Sequence, residues 1–485
     1  MKKNYLCCWR LLPTYVLLLG LPFIGLACCK NKKKPPEPPS SPPETELAFP
    51  SARQSPSRYW DQPYFQLSQD YPRVIVSESY PWNSIDFTDS TEWQRYMWSV
   101  LEYCYDGNIE VDWYQQKRSE SRRWYHAPWM HRLREWVHGM TRERPVHTTE
   151  ISWVSSDTDS SYYETWAVAF YNNVGGYTIG RVWDNLEQPN PDSAHFRPGA
   201  VVIKLLFTTL TSEKIPYLEN APEWLGALDA TKPSKLTALS LLQVDIAVRD
   251  RRADTAGGSG WVFGTFMYDK DTRLAPFSRV RGKESWYRLR PVGLMWGNDP
   301  DLTPEKYARG ERPAQSYINP EIYRIVRSNL GWQGRLNGPV DNPFSSCLSC
   351  HATAQVKKEV EADGFTTFFS DIPLSYRDFT FAINKDAAQA WLKGHRQNGR
   401  QMDTANMQYW FRTIKPGETW HDGYISLDYS LQLRVGIETW AEEMRLAREI
   451  RKRLPSGYTE RENHIAPAID FATDPKNNPS VSIQR

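Results

Sequence analysis

"LLQVDIAVRDRRADTAGGSGWVFGTFMYD", Leu241 to Asp269, holds two strand-like runs separated by a break. Val244, Ile246 and Val248 alternate with Gln243, Asp245, Ala247 and Arg249. That period of two belongs to a strand whose two faces meet different surroundings. The "GGSG" before Trp261 marks a turn, so the aromatic run that follows is expected to lie beside the first strand. Three further segments have the same character: "ETWAVAFYNN" (Glu164–Asn173), "GAVVIKLLFTT" (Gly199–Thr209) and "LRPVGLMWGND" (Leu289–Asp299). No helices at doubly wound spacing separate them, which argues against a parallel sheet. The expected fold class is α+β: an antiparallel β-sheet core with flanking helices and long loops.

Two charged or polar groupings stand out around this sheet. Lys204 interrupts an otherwise apolar strand, where it would either snorkel or pair with an acid such as Asp245. "RRWYHAPWMHRLREWVHGMTRERPVH" concentrates His126, His131, His138 and His147. They are open to reading as a metal cluster or a haem wall, but their spacing matches no metal motif, and the interleaved Trp and Arg suit a packing surface. Upstream, "DSTEWQRYMWSVLEYCYDGN" reads as a helix with Trp93, Met97, Val100, Leu101 and Cys104 on one face. Asp89 is its expected cap, Glu92 its capping-box partner, and Gly107 its stop. Cys104 reads as a buried thiol. Beyond a loop-rich segment from about Asp271 to Phe344, "DAAQAWLKGHRQNGR" and "RVGIETWAEEMRLAREIRKR" look helical. The second is amphipathic through Ile437, Trp440, Met444 and Leu446.

The chemistry is concentrated in "NPFSSCLSCHATAQ", Asn342 to Gln355. Cys347, Cys350 and His351 have the spacing of c-type haem attachment, in which two thiols bond the haem edge and the adjacent His ligates the iron. At this composition the motif is expected by chance roughly 0.002 times. A redox disulfide or half a zinc site is the alternative, but no second Cys/His pair at zinc spacing is present. One covalent haem c is therefore the expected cofactor. A sixth iron ligand would come from Met402, Met407, Met295, Met267 or His395, with Met402 the most cytochrome-like choice.

Attachment of this kind implies export. Lys2, Lys3 and Arg10 precede the apolar run Leu11–Ala27, which contains Pro13 and Pro22 and is short for a membrane span. "GLACCK" then resembles a bacterial lipobox, making Cys28 the expected lipidation site, with Cys29 as the competitor. The "KNKKK" that follows disfavours translocation, so an uncleaved signal anchor is the alternative. Either way the body is expected in the bacterial periplasm, tethered to a membrane. Pro35–Ser57 is Pro-rich and reads as a semi-rigid spacer. With a net charge of +2, nucleic acid is not an expected partner; a redox partner protein is.

Three segments in order resemble the cytochrome P-460 family and its relatives, the β-sheet type of cytochrome c′: "FRPGAVVIKLLF" (Phe196–Phe207), Asp245–Asp269, and "CLSCHATAQ". The stretch that contains them, Phe196 to Gln355, spans about a third of the chain. It implies a haem held over an antiparallel sheet with His351 as proximal ligand. In enzymatic members a Lys is bonded to the haem edge, and Lys204 occupies the similar position. Those enzymes oxidise hydroxylamine or related nitrogen compounds, the sister group binds small gases, and both dimerise, so a homodimer is a further expectation. The long segment between Trp261 and Cys347 and the extensions at both ends depart from the family.

The expected organisation is a signal peptide over 1–28, a linker over 29–57 and a mainly helical and loop extension over 58–150. A haem-binding sheet core follows over 151–370, then a helical extension over 371–455 and a tail over 456–485.

Overall fold

The runs that alternate in sequence become the strands of one sheet. A computed structural model describes most of residues 70–153, 161–358 and 408–453, with short breaks inside each. The described residues all belong to one compact unit, Glu46–Arg485. In chain order the strands are β1 (Thr141–Arg142), β2 (Val146–His147), β3 (Tyr162–Tyr163), β4 (Thr165–Tyr171), β5 (Val201–Thr208) and β6 (Glu223–Gly226). Then come β7 (Thr237–Arg249), β8 (Trp261–Tyr268), β9 (Leu289–Met295), β10 (Ser316–Ile318), β11 (Gln355–Lys357) and β12 (Tyr424–Ser426). An eight-stranded antiparallel sheet runs β1-β4-β5-β7-β8-β9-β10, with β6 also pairing β7. All five quoted strand segments lie in it, and the fold is α+β.

Seven α-helical segments accompany the sheet among the described residues: α1 (Trp93–Tyr105), α2 (Thr148–Ile151), α3 (Asn173–Val182), α4 (Arg251–Thr255), α5 (Pro304–Ala308), α6 (Cys347–His351) and α7 (Leu431–Arg453). α1 packs against one face of the sheet. Trp98 meets Phe266 at 4.8 Å between ring centroids, and Met97 reaches the bare backbone of Gly264. Its entry differs from the expectation. Asp89 uses its carboxylate on the Thr91 N–H at 2.7 Å, closing a turn before the helix, and Glu92 is the N-cap without a side-chain bond. Gly107, at φ +79°, does end it. Cys104 is buried, as are Met97, Val100 and Leu101.

Two loops hold more structure than their composition suggested. The β7–β8 connection contains α4 as well as the glycines, and Asp250 binds Arg252 across it. The loop-rich stretch before Cys347 supplies β10, which pairs with β9 at the sheet edge. α7 begins at Leu431, where Ser430 Oγ accepts from the Leu433 N–H at 3.2 Å. Ile437 and Trp440 are buried, and Met444 packs against the core. The Leu446 side chain, the 386–400 segment, residues 1–28 with Cys28, and the Pro-rich stretch after them lie outside the described residues. No helix of the described residues is long and apolar enough to cross a membrane.

Candidate functional site

The register of the sheet decides what faces the Cys-x-x-Cys-His motif. Ala169, Lys204, Asp245, Thr265 and Gly293 form one row across five strands. Tyr171, Val202, Ala247, Phe263 and Met295 form the next row on the same face. This face is opposite α1. Phe263 stands 4.8 Å from the His351 ring, centroid to centroid, so the motif sits over it. Val202, Lys204 and Asp245 are the half-buried residues within the otherwise buried stretches Val201–Thr208 and Leu239–Arg249. They make a strip beside the motif against which a flat group can rest.

α6 is the motif itself, one short turn of helix. Ser346 caps it, its Oγ accepting from the Ser349 N–H at 3.0 Å. Cys347 Sγ lies 3.5 Å from Asn337 Oδ1, and Cys350 Sγ is 3.0 Å from Ser345 Oγ. The sulfurs thus engage separate partners instead of one another. Burial raises the pKa of both thiols, Cys350 to about 11, so they are protonated. Among the described residues no three His, Cys, Asp or Glu side chains are grouped to hold a metal ion directly. A haem iron needs only the imidazole.

The His351 imidazole is fixed in one tautomer. Its Nδ1 lies 2.9 Å from the Tyr429 carbonyl oxygen, which can only accept. The proton is therefore on Nδ1, and Nε2 keeps its lone pair for a metal. Burial lowers the imidazole pKa to about 4, opposed by that hydrogen bond, so the ring is neutral at pH 7. The carbonyl comes from a turn in which Asp428 and Tyr429 both have positive φ, 46° and 67°. Two such non-glycine residues cost about 1–2 kcal/mol each and persist only where surrounding contacts hold them.

The loop before α6 is as tightly set. Arg335, fully buried, donates to the carbonyls of Asn298, Asp299 and Leu302 at 2.6–3.0 Å. Cys347 N donates to Leu336 O at 2.9 Å. Gly331 has φ +104°, and a Cβ there would lie 1.9 Å from the Arg335 carbonyl oxygen. Gly331→Ala is expected to cost about 2 kcal/mol or more, read as a lowered urea midpoint at unchanged slope. A midpoint equal to wild type would show that this loop is not fixed.

Lys204 is ion-paired on both sides, 3.8 Å from Asp245 and 3.8 Å from Glu143. Gln243 Nε2 bridges Asp245 at 2.9 Å and Asp341 at 3.2 Å, and Thr265 donates to Asp245 at 2.8 Å. Burial alone would lower the lysine pKa, but Glu143, Asp245 and Asp341 outweigh it and hold it above the usual value. Burial raises Asp245 to about 6 against the pull of Lys204. The Glu143 side chain is 39% exposed against 21% for Asp245, so solvent screens it more and Asp245 is the more constrained acid.

The other candidates disperse. His126 contacts the Ala169 carbonyl, His138 stacks on Trp224 at 4.8 Å with its pKa lowered by burial to about 3, and His147 caps α2 by accepting from Thr149 N–H. These three are packing and capping residues, and His131 lies outside the described residues. Met267 and Met295 are buried in the sheet. Met402, Met407 and His395 lie outside the described residues. A cavity of about 470 Å³ is lined by Arg412, Ile414, Gly417, Glu418 and Trp420. None of the motif residues lines it, so it is a separate feature.

The C-terminal segment closes over the motif, which the sequence did not signal. Ser349 Oγ donates to Trp410 O at 3.0 Å, Trp420 Nε1 to Ala352 O at 2.8 Å, and Arg434 Nη1 to Thr353 O at 3.2 Å. β11, just after the motif, pairs with β12, just before Tyr429. No protein-family model, curated protein or solved structure matches this chain.

Proposed function

We propose that the chain is a c-type cytochrome carrying one covalent haem and moving electrons on the periplasmic side of a membrane to which its N-terminus tethers it. The observation that carries this reading is His351. It follows Cys347 and Cys350 on one helical turn, and its Nδ1 is committed to a carbonyl oxygen so that Nε2 is left for iron. When bound, the haem supplies a one-electron redox centre. Cys347 and Cys350 would hold it through two thioether bonds, each S–H adding across one vinyl group with no oxidant needed. His351 supplies the proximal nitrogen. The half-buried strip of Val202, Lys204 and Asp245, with Phe263 next to it, would form its seat against the sheet. Cys28 remains the proposed lipidation site.

A second reading is a cytochrome P-460-like oxidoreductase or small-gas binder with an open sixth position. The placement of Lys204 on the motif-facing side of the sheet favours it. Its ion pairs with Asp245 and Glu143 favour a charged lysine instead of a haem cross-link. The absorption spectrum of the purified, reduced full chain separates the readings. A sharp α band with no nitric oxide binding supports the electron carrier, and a high-spin haem that takes nitric oxide supports the second reading. A preparation with no pyridine haemochrome overturns both.

A further inference from the structure

We infer that Asp428 is a positioning residue for the iron ligand, holding through the Tyr429 carbonyl the orientation and electron density of the His351 imidazole. The inference rests on the haem reading above and adds a residue 77 positions beyond the motif to it, by subtraction of 351 from 428.

Asp428 is a buried carboxylate, 2% exposed, that forms no ion pair among the described residues, with Arg249 and His195 acting on it from further off. Each oxygen instead accepts from a different part of the fold. Oδ1 accepts from the Trp261 indole N–H at 3.0 Å, and Oδ2 accepts from the Phe196 backbone N–H at 2.8 Å. Trp261 opens β8, the strand that carries Phe263, and Phe196 leads into β5, the strand that carries Lys204. One side chain thus ties the turn after β12 to both strands under the motif. The turn itself is fastened around it: Leu427 N donates to Ala354 O at 2.8 Å, and Asp428 N to Ser426 Oγ at 3.2 Å. The next residue is Tyr429, whose carbonyl takes the His351 Nδ1 proton and whose ring lies 6.3 Å from Phe263.

Positive φ at both Asp428 and Tyr429 makes this arrangement dependent on its anchors. Without them the turn relaxes, and the carbonyl swings away from the imidazole. A strong Nδ1–H···O bond gives the ring partial imidazolate character, which favours the ferric iron and lowers the potential. A lost bond raises it and lets the ring rotate.

The test uses Asp428→Asn in the full chain. Asparagine presents an NH₂ group where both partners are donors, so one of the two bonds must break. The expected result is covalent haem at wild-type stoichiometry, a higher midpoint potential and a ferric EPR spectrum broadened into more than one species. Trp261→Phe removes only the Oδ1 bond and should move the potential the same way by less; it also serves if Asp428→Asn does not fold. Combining the two lets the asparagine oxygen accept from Phe196 with no opposed donor, and should bring the potential back towards wild type. Lowered thermal stability with an unmoved potential and EPR spectrum would reduce Asp428 to a structural anchor and overturn the inference. Wild-type protein lacking a pyridine haemochrome would overturn the haem reading and this inference together.

Discussion

Cys347→Ala/Cys350→Ala is expected to carry no haem through denaturing separation, against one haem per wild-type chain, while the sheet still folds. Thioether bonds are the only links of the proposed attachment that survive denaturation, and each needs its own sulfur. The fold around the motif depends little on those sulfurs. α6 is capped by Ser346, Ser349 is tied to Trp410, and Ser345 accepts from the Trp410 indole at 3.2 Å. Losing one buried and one half-buried sulfur costs about 1–2 kcal/mol together, so the circular dichroism of the sheet should persist. Haem staining of a denaturing gel, with the pyridine haemochrome as a quantitative check, reads the outcome. Haem retained by the double variant after denaturation would sink the assignment of these thiols.

Lys204→Met should destabilise the protein by about 3 kcal/mol at pH 7.5, the lower end of what breaking a buried ion pair costs. The lower end applies because the Lys204 side chain is 24% exposed and that of Glu143 is 39% exposed. Methionine keeps the apolar stem, so the loss is one of charge. It leaves Glu143, Asp245 and Asp341 facing one another without their cation, and that fixes the pH dependence. In the wild type Asp245 is raised to about 6, so the folded state binds its proton more tightly than the unfolded chain does. Such a group favours the fold fully at low pH and loses that contribution as the pH rises through about 6. Removing Lys204 raises Glu143 and Asp245 further, so the variant's deficit is largest above neutrality and shrinks as the pH falls towards 5. Urea midpoints for both proteins at pH 7.5 and pH 5 measure this. An equal deficit at both would mean that Lys204 acts by packing alone.

The capping of α1 shows how a local signal can be met by more than one structure. Asp89 and Glu92 satisfy a capping-box spacing, but Asp89 bonds Thr91 two residues on and Glu92 becomes the cap itself. An aspartate offers its carboxylate to the nearest backbone N–H as readily as to a helix end. The clustered histidines are a stronger case. Adjacent in sequence, His126, His138 and His147 end against a strand carbonyl, a tryptophan ring and a helix start. Sequence proximity says little about which way a buried ring points.

Determined by the sequence itself were the five strands, their antiparallel arrangement, Lys204 as a lone charge in an apolar strand with Asp245 as one candidate partner, and the spacing of Cys347, Cys350 and His351. Each rests on side-chain identity at short period: alternation for strands, a lone charge and its opposite number in apolar surroundings, two thiols and an imidazole at fixed spacing. Only the tertiary structure decided what completes the site. The His351 proton goes to the carbonyl of Tyr429, 78 residues away, and Asp428 beside it ties that turn to two strands. A main-chain carbonyl is the same at every residue, so no pattern of side chains announces that one will be used. What selects it is where the folded chain places it, and that emerges only once β11 and β12 have paired over the sheet.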